Sequence, residues 1–171
     1  MSRPRLATVW LDGCSGCHMS FLDIDERLME LAEKVQVVYS PLVDLKEYPE
    51  DVDIALVEGA VASEEDERKI LHIRARTKIL VSLGDCAVTG NVPSMRNSFG
   101  LPRVFERAYS GNVPRETVPP LLPKVRPVHE TVEVDVFVPG CPPAADVIYF
   151  VLTELLEGRK PDLRTLSRFG A

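Results

Sequence analysis

Two hydrophobic periods alternate along the 171-residue chain. Short continuous apolar runs at Leu6–Leu11, Val35–Tyr39, Val52–Val57, Lys78–Leu83 and Val132–Val138 read as strands buried on both faces. Between them the spacing becomes helical. Phe21, Ile24, Leu28, Leu31 and Val35 recur at the helical period and leave Asp23, Asp25, Glu26, Glu30 and Glu33 for the opposite face. Ser63 reads as a helix N-cap with Glu64, Glu65 and Asp66 in the first turn, and that helix runs to about Arg76. A last helix covers about Ala144–Glu157. Val147, Ile148, Val151, Leu152, Leu155 and Leu156 lie on one side of it, and Gly158 is its cap.

This alternation predicts an α/β fold. It has a flavodoxin-like parallel sheet of about five strands, right-handed crossovers and helices on both faces. Residues 1–160 form the single domain, and 161–171 form a loosely held C-terminal tail. The pattern lapses between 88 and 128, a stretch rich in Pro, Gly and Asn with one short helix near Pro102–Tyr109. A long irregular segment in a compact domain is usually functional or covered by a partner, so 88–128 is expected to contact one.

Composition narrows the setting. Hydrophobic residues make up 45% of the chain, enough for a packed core without disulfides. Twenty basic against 26 acidic residues give −6, and no basic run or aromatic-studded basic strand suggests a nucleic-acid surface. No apolar stretch approaches the ~20 residues of a membrane helix. The N-terminal apolar run is too short for a signal sequence, and no adjacent Arg pair marks a twin-arginine signal. A cytoplasmic location is expected, where structural disulfides are disfavoured.

The four cysteines therefore need another explanation. In sheets of this kind, ligands bind beyond the carboxyl ends of the strands. Cys14 and Cys17 follow the first strand in an Asp-Gly-Cys-Ser-Gly-Cys segment whose two glycines make it a loop, Glu58 follows the third, Cys86 the fourth and Cys141 the fifth, so all should meet at one sheet edge. Four thiolates commonly hold an iron–sulfur cluster. Gly13, Gly16, Gly84 and Gly140 beside them allow backbone to approach a bulky group closely. Structural zinc also takes four thiolates, although it usually shows two close pairs, and this chain offers one pair and two singles. A redox dithiol at Cys14–Cys17 would leave Cys86 and Cys141 idle, and buried inert cysteines would not share a sheet edge. Four ligands suffice for one cluster. Without a catalytic constellation or nucleotide fingerprint, no catalysis is expected from the isolated chain. His18, next to Cys17, either hydrogen-bonds a cluster sulfur or faces solvent. His72 is a surface or packing residue within a helix. Glu58 could relay protons or ligate an oxidised, harder iron, and the plain alternative is a solvated or capping glutamate.

The run Thr8-Val-Trp-Leu-Asp-Gly-Cys-Ser-Gly-Cys-His-Met-Ser-Phe-Leu-Asp23 resembles the small subunit of cytoplasmic, bidirectional NAD-reducing nickel–iron hydrogenases. So do Val57-Glu-Gly-Ala-Val61, Gly84-Asp-Cys-Ala-Val-Thr89, Asn91-Val-Pro-Ser-Met-Arg-Asn97 and Pro139-Gly-Cys-Pro-Pro143. The resemblance covers nearly the whole chain. It implies a flavodoxin-like domain carrying one [4Fe-4S] cluster on Cys14, Cys17, Cys86 and Cys141, proximal to a nickel–iron centre in a separate large subunit. It implies electron transfer to a ferredoxin-like diaphorase subunit holding further clusters, and on to a diaphorase subunit with FMN and the NAD site. The overall reaction would be H2 + NAD+ ⇌ NADH + H+. The family's Glu-Gly step falls on Glu58 and Gly59, near the subunit interface. Two features place this chain within the wider group. Its cysteines are too few for the two extra clusters of many hydrogenase small subunits. The related cluster subunit of respiratory complex I opens its motif with two adjacent cysteines, whereas Ser15 and Gly16 separate the pair here. A hydrogenase branch using NADP, ferredoxin or a deazaflavin, a zinc-bound structural module and a flavodoxin-like FMN binder are the rival readings.

Overall fold

The computed structural model describes residues 3–114 and 116–169. A parallel five-stranded sheet forms its centre. β1 (Arg5–Trp10), β2 (Gln36–Tyr39), β3 (Val52–Glu58), β5 (Thr77–Leu83) and β7 (Val136–Val138) lie in the order β2-β1-β3-β5-β7. That is the flavodoxin-like order expected from the sequence.

Side chains alternate across the pleat and feed two cores. Leu6, Ile54, Leu56, Val81 and Leu83 point to one face, where α1 (Gly16–Leu22), α2 (Arg27–Lys34) and α7 (Ala145–Leu156) cover them with Phe21, Leu31, Ile148 and Leu152. Ala7, Val9, Ala55, Val57 and Leu80 point to the other face, beneath Ile70 and Ile73 of α3 (Glu64–Ala75). Helices thus cover both faces. Ser63 caps α3 as expected. Its hydroxyl accepts from the Asp66 N–H at 3.1 Å, and Asp66 accepts from the Ser63 N–H at 2.9 Å, a closed capping box.

Four local expectations are corrected. The helix expected as one piece around Phe21–Val35 is two, broken at Asp25, whose φ is 61°. The hydrogen-bonded turns between them still deliver Phe21, Ile24 and Leu31 to the core, so the periodicity does not register the break. The first of these helices starts at Gly16, so Cys17 sits in its first turn rather than in a loop. The fifth strand begins at Val136 instead of Val132. The Asp135 carboxylate accepts from the Leu80 N–H at 2.7 Å in place of a backbone carbonyl, and Val128–Glu130 form a 3-10 turn. The 88–128 segment is more regular than its composition suggests. It continues α4 (Gly84–Thr89) into α5 (Asn91–Ser94), a 3-10 turn, α6 (Leu101–Tyr109) and β6 (Leu121–Arg126). β6 pairs antiparallel with β4 (Val61–Ser63), and both the amide and the carbonyl of Asn97 bond Val125.

The tail also differs from expectation over its described part. Pro161 is buried, Leu163 packs on the core, and the Ser167 hydroxyl donates to the Pro139 carbonyl. Residues 170 and 171 of the tail, and Met1 and Ser2 of the domain, lie outside the described residues.

Candidate functional site

The carboxyl edge of the sheet brings the cysteine loops together. The β1 loop leads Cys14 and Cys17 past the end of β3 to the start of α4. There Gly84 adopts φ +81°, and a Cβ on it would lie 2.2 Å from Cys17 Sγ. No L side chain fits such a place, so the glycine is what lets the Cys17 and Cys86 segments meet. A Cβ on Gly16 would lie 3.2 Å from Cys14 Sγ. Cys17 is buried, Cys86 half-buried, and Cys14 and Cys141 are exposed.

Three buried side chains tie these loops by bonding backbone. The Asp85 carboxylate accepts from the Gly140 N–H at 2.7 Å, while the Asp85 N–H donates to the Gly140 carbonyl at 2.8 Å; this joins the Cys86 and Cys141 loops. The Ser20 hydroxyl donates to the Pro143 carbonyl at 2.5 Å and joins α1 to the Cys141 loop. Glu58, 2% exposed at the end of β3, accepts from the His18 N–H at 2.8 Å and also contacts His18 Nδ1. Asn91 Nδ2 lies 3.6 Å from Cys141 Sγ, within reach of a sulfur acceptor.

The thiols sense one another. Burial pushes the Cys17 thiol up, and the charges of Glu58, Cys86, Cys14 and Cys141 push it further. Cys86 is pushed up to about 11 by burial, then by Cys141, Cys14 and Glu58, with the Val92 backbone N–H acting the other way. Bringing four thiolates together is therefore unfavourable unless a cationic group neutralises them. Among the described residues, no three His, Cys, Asp or Glu side chains close on a point that could hold a single metal ion. A mononuclear tetrahedral zinc would need sulfurs within about 3.8 Å of each other, from a Zn–S length of about 2.3 Å.

Each residue singled out in the sequence can now be placed. Cys14, Cys17, Cys86, Cys141 and Glu58 share this edge. His18 is buried rather than solvent-facing: it engages Glu58 through Nδ1, while its Nε2 is buried without a hydrogen-bond partner among the described residues. His72 lies elsewhere, 2.8 Å from Arg76 Nη1 and edge-on to Tyr48. His129 packs against Phe137. The Asp85 and Ser20 ties were not anticipated, since a Gly-Asp-Cys step and a serine one helical turn beyond Cys17 carry no distinctive signal before the loops are placed. A cleft of 1060 Å³ between the 45–50 loop and α3 lies apart from this edge, and none of the four cysteines lines it.

Fold and site together define a doubly wound α/β domain whose carboxyl sheet edge gathers thiols that follow three of its strands. The NADH ubiquinone oxidoreductase, 20 Kd subunit family matches residues 14–155. The delta subunit of the NAD-reducing hydrogenase HoxS of Cupriavidus necator is 45% identical over 170 residues, covering 93% of this chain and 81% of that one. The G subunit of the F420-non-reducing hydrogenase vhu of Methanocaldococcus jannaschii is 37% identical over 94% of this chain and 59% of its own length. A crystal structure of an NAD+-reducing [NiFe]-hydrogenase in the H2-reduced state contains a chain of the same fold, with TM-score 0.92, 43% identity, and coverage of 98% of this chain and 99% of that one. The chain belongs to this family, in its hydrogenase small-subunit branch.

Proposed function

We propose that this chain is the electron-transfer small subunit of an NAD-reducing nickel–iron hydrogenase. Cys14, Cys17, Cys86 and Cys141 would hold one [4Fe-4S] cluster next to the nickel–iron site of a large subunit. The observation that carries this reading is the convergence of four thiols from three loops on one sheet edge, held by buried side-chain ties. The residues fit such a group. The donor set is four thiols, Gly84 leaves room where a Cβ would collide, and an N–H of Asn91 already approaches a ligand sulfur. One close pair and two single cysteines favour a cluster over structural zinc, which usually shows two close pairs.

When bound, the cluster accepts and releases one electron at a time. The chain's own residues hold it and set its surroundings. Cys17 and Cys86 form the inner wall, and exposed Cys14 and Cys141 place the cluster near the surface, within reach of partners. Apolar side chains exposed after the Cys86 helix, Val92 at 63%, Met95 at 66% and Phe99 at 63%, suit an obligate interface better than open solvent. They lie in the 88–128 segment, which would contact partner subunits. Electrons would pass to a ferredoxin-like diaphorase subunit and then to the FMN- and NAD-binding subunit, giving H2 + NAD+ ⇌ NADH + H+. The complex would work in the cytoplasm, as the resemblance to cytoplasmic hydrogenases implies; no helix among the described residues is long and apolar enough to cross a membrane.

A second acceptor has support of its own, because similarity extends to a subunit of an F420-non-reducing hydrogenase. Purifying the chain with its native partners decides between them. The expected result is co-purification with a nickel-containing large subunit and a flavin-containing diaphorase, about four iron and four sulfide per small subunit, and hydrogen-dependent reduction of NAD+. Co-purification with a different acceptor module would favour the other branch. Zinc in place of iron would refute the cluster.

A further inference from the structure

We propose that Glu58 is the positioning residue for Cys17, a role that rests on reading the four cysteines as cluster ligands. α1 begins without a local cap. Ser15, its N-cap residue, has a left-handed conformation at φ 63°, ψ 9°, and its side chain makes no capping bond. The free N–H groups of a first turn need an acceptor, usually a side chain at that position. Here the acceptor comes from 40 residues away: Glu58 Oε2 accepts from the His18 N–H at 2.8 Å. The same oxygen engages His18 Nδ1, so one carboxylate fixes both the backbone and the ring of the residue after Cys17.

The support beneath that carboxylate is rigid. Glu58 pairs with Trp10 on one side and Leu83 on the other, its carbonyl accepts from the Leu11 N–H at 2.9 Å, and its side chain is 2% exposed. A carboxylate buried this deeply needs a donor, and the His18 N–H supplies one to the same oxygen that meets His18 Nδ1. Cys17 has little slack in turn, because its Sγ occupies the space a Cβ on Gly84 would take. A small rotation of α1 would carry the sulfur away from the Cys86 loop. A swing of Glu58 onto iron requires this carboxylate to let go of α1, because both of its contacts to His18 use Oε2. Positioning requires it to stay.

The test compares the purified hydrogenase complex carrying wild-type chain, Glu58→Gln, Glu58→Ala or His18→Ala. Three quantities are read: iron and labile sulfide per chain, the g-values of the reduced cluster by electron paramagnetic resonance, and amide hydrogen exchange across residues 16–22. A glutamine amide oxygen can still accept from the His18 N–H, and His18→Ala keeps that N–H. Both variants should therefore retain iron, sulfide and wild-type g-values. Glu58→Ala should lose iron and sulfide and exchange roughly tenfold faster across 16–22, the scale of a lost cap. Full iron and unchanged exchange in Glu58→Ala would overturn the proposal. So would a Glu58→Gln complex that behaves like Glu58→Ala, because the charge and not the cap would then be required. A cluster signal that changes only on oxidation, in Glu58→Gln and Glu58→Ala alike and with iron retained in both, would assign Glu58 to ligation instead. Wild-type complex devoid of iron would overturn the cluster reading itself, whereas iron-replete wild type beside iron-replete Glu58→Ala overturns positioning alone.

Discussion

Adding one methyl group at Gly84 tests whether the thiol site is as tightly built as its geometry states. Gly84 sits at φ +81°, so an alanine there carries the left-handed cost of about 1–2 kcal/mol. The new Cβ would also fall 2.2 Å from Cys17 Sγ, 3.5 Å from the Gly140 carbonyl and 3.7 Å from Cys17 Cβ. Sulfur and carbon cannot share that distance. Cys17 is buried with a single side-chain torsion, so relief means rotating its sulfur or pushing α1 and α4 apart. Overpacking of this kind costs about 1–3 kcal/mol, giving a total near 2–5 kcal/mol. Domains are stable by about 5–15 kcal/mol, so the fold is weakened while the approach of Cys17 to the Cys86 segment is lost outright. Gly100 provides the control: its φ is +74° but nothing lies within 4 Å of a Cβ there, so alanine meets strain without collision. The assay is iron and labile sulfide per chain in the purified complex, with the reduced-state paramagnetic signal. Gly84→Ala should lose most of its iron, and Gly100→Ala should keep it. A Gly84→Ala complex with wild-type iron, sulfide and g-values would refute the proposed convergence of Cys17 and Cys86.

Other outcomes follow from the same contacts. Ser20→Ala leaves the Pro143 carbonyl without its 2.5 Å hydroxyl donor, so the complex should lose about 1–3 kcal/mol in chemical denaturation and release iron sooner. Burial raises the Tyr48 hydroxyl to about 12, against a smaller opposing pull from its hydrogen bond to Thr77. The folded state therefore holds that proton more tightly than the unfolded chain does. The stability it confers is complete below the free tyrosine value of about 10 and is lost as pH rises towards 12. Denaturation midpoints should fall across that window, and Tyr48→Phe should flatten the fall.

The sheet was legible because its strands are short apolar runs between strong punctuation, and burial on both faces removes any competing period. The thiol edge followed from that register, since cysteines placed after successive parallel strands must share an end. What stayed hidden was whatever depended on a contact between distant loops. β4 is three residues long, and β6 carries Pro123, so neither has a strand signal until Val61 meets Arg126 and Asn97 holds Val125. The start of α1 at Gly16 was hidden for the same reason. Gly16 and Ser15 are poor openers of a helix, and the acceptor that stabilises the turn is Glu58, on another strand. Asp135 shortened the last strand by standing in for backbone, which an alternation pattern cannot show.

The path of the β1 loop also explains why this sheet order serves thiols rather than a flavin. In open α/β sheets a cofactor enters the crevice where strand order reverses, here between β1 and β3. In this chain backbone closes that crevice. The Leu11 N–H donates to the Glu58 carbonyl at 2.9 Å, the Asp12 N–H to Ala60 at 3.1 Å, and the Ala60 N–H back to Asp12 at 2.8 Å. A Cβ on Gly59 would stand 2.8 Å from the Leu11 carbonyl carbon and 2.9 Å from the Asp12 oxygen, so the two segments meet with no space for a phosphate. The same zipper steers the loop across the end of β3 and delivers Cys17 to Gly84, beside β5. Closing the usual cofactor crevice and assembling the thiol edge are therefore one structural event. A flavin at the switch point would have to break the backbone bonds that bring the cysteines together, and this sets the flavodoxin-like FMN reading aside for that crevice.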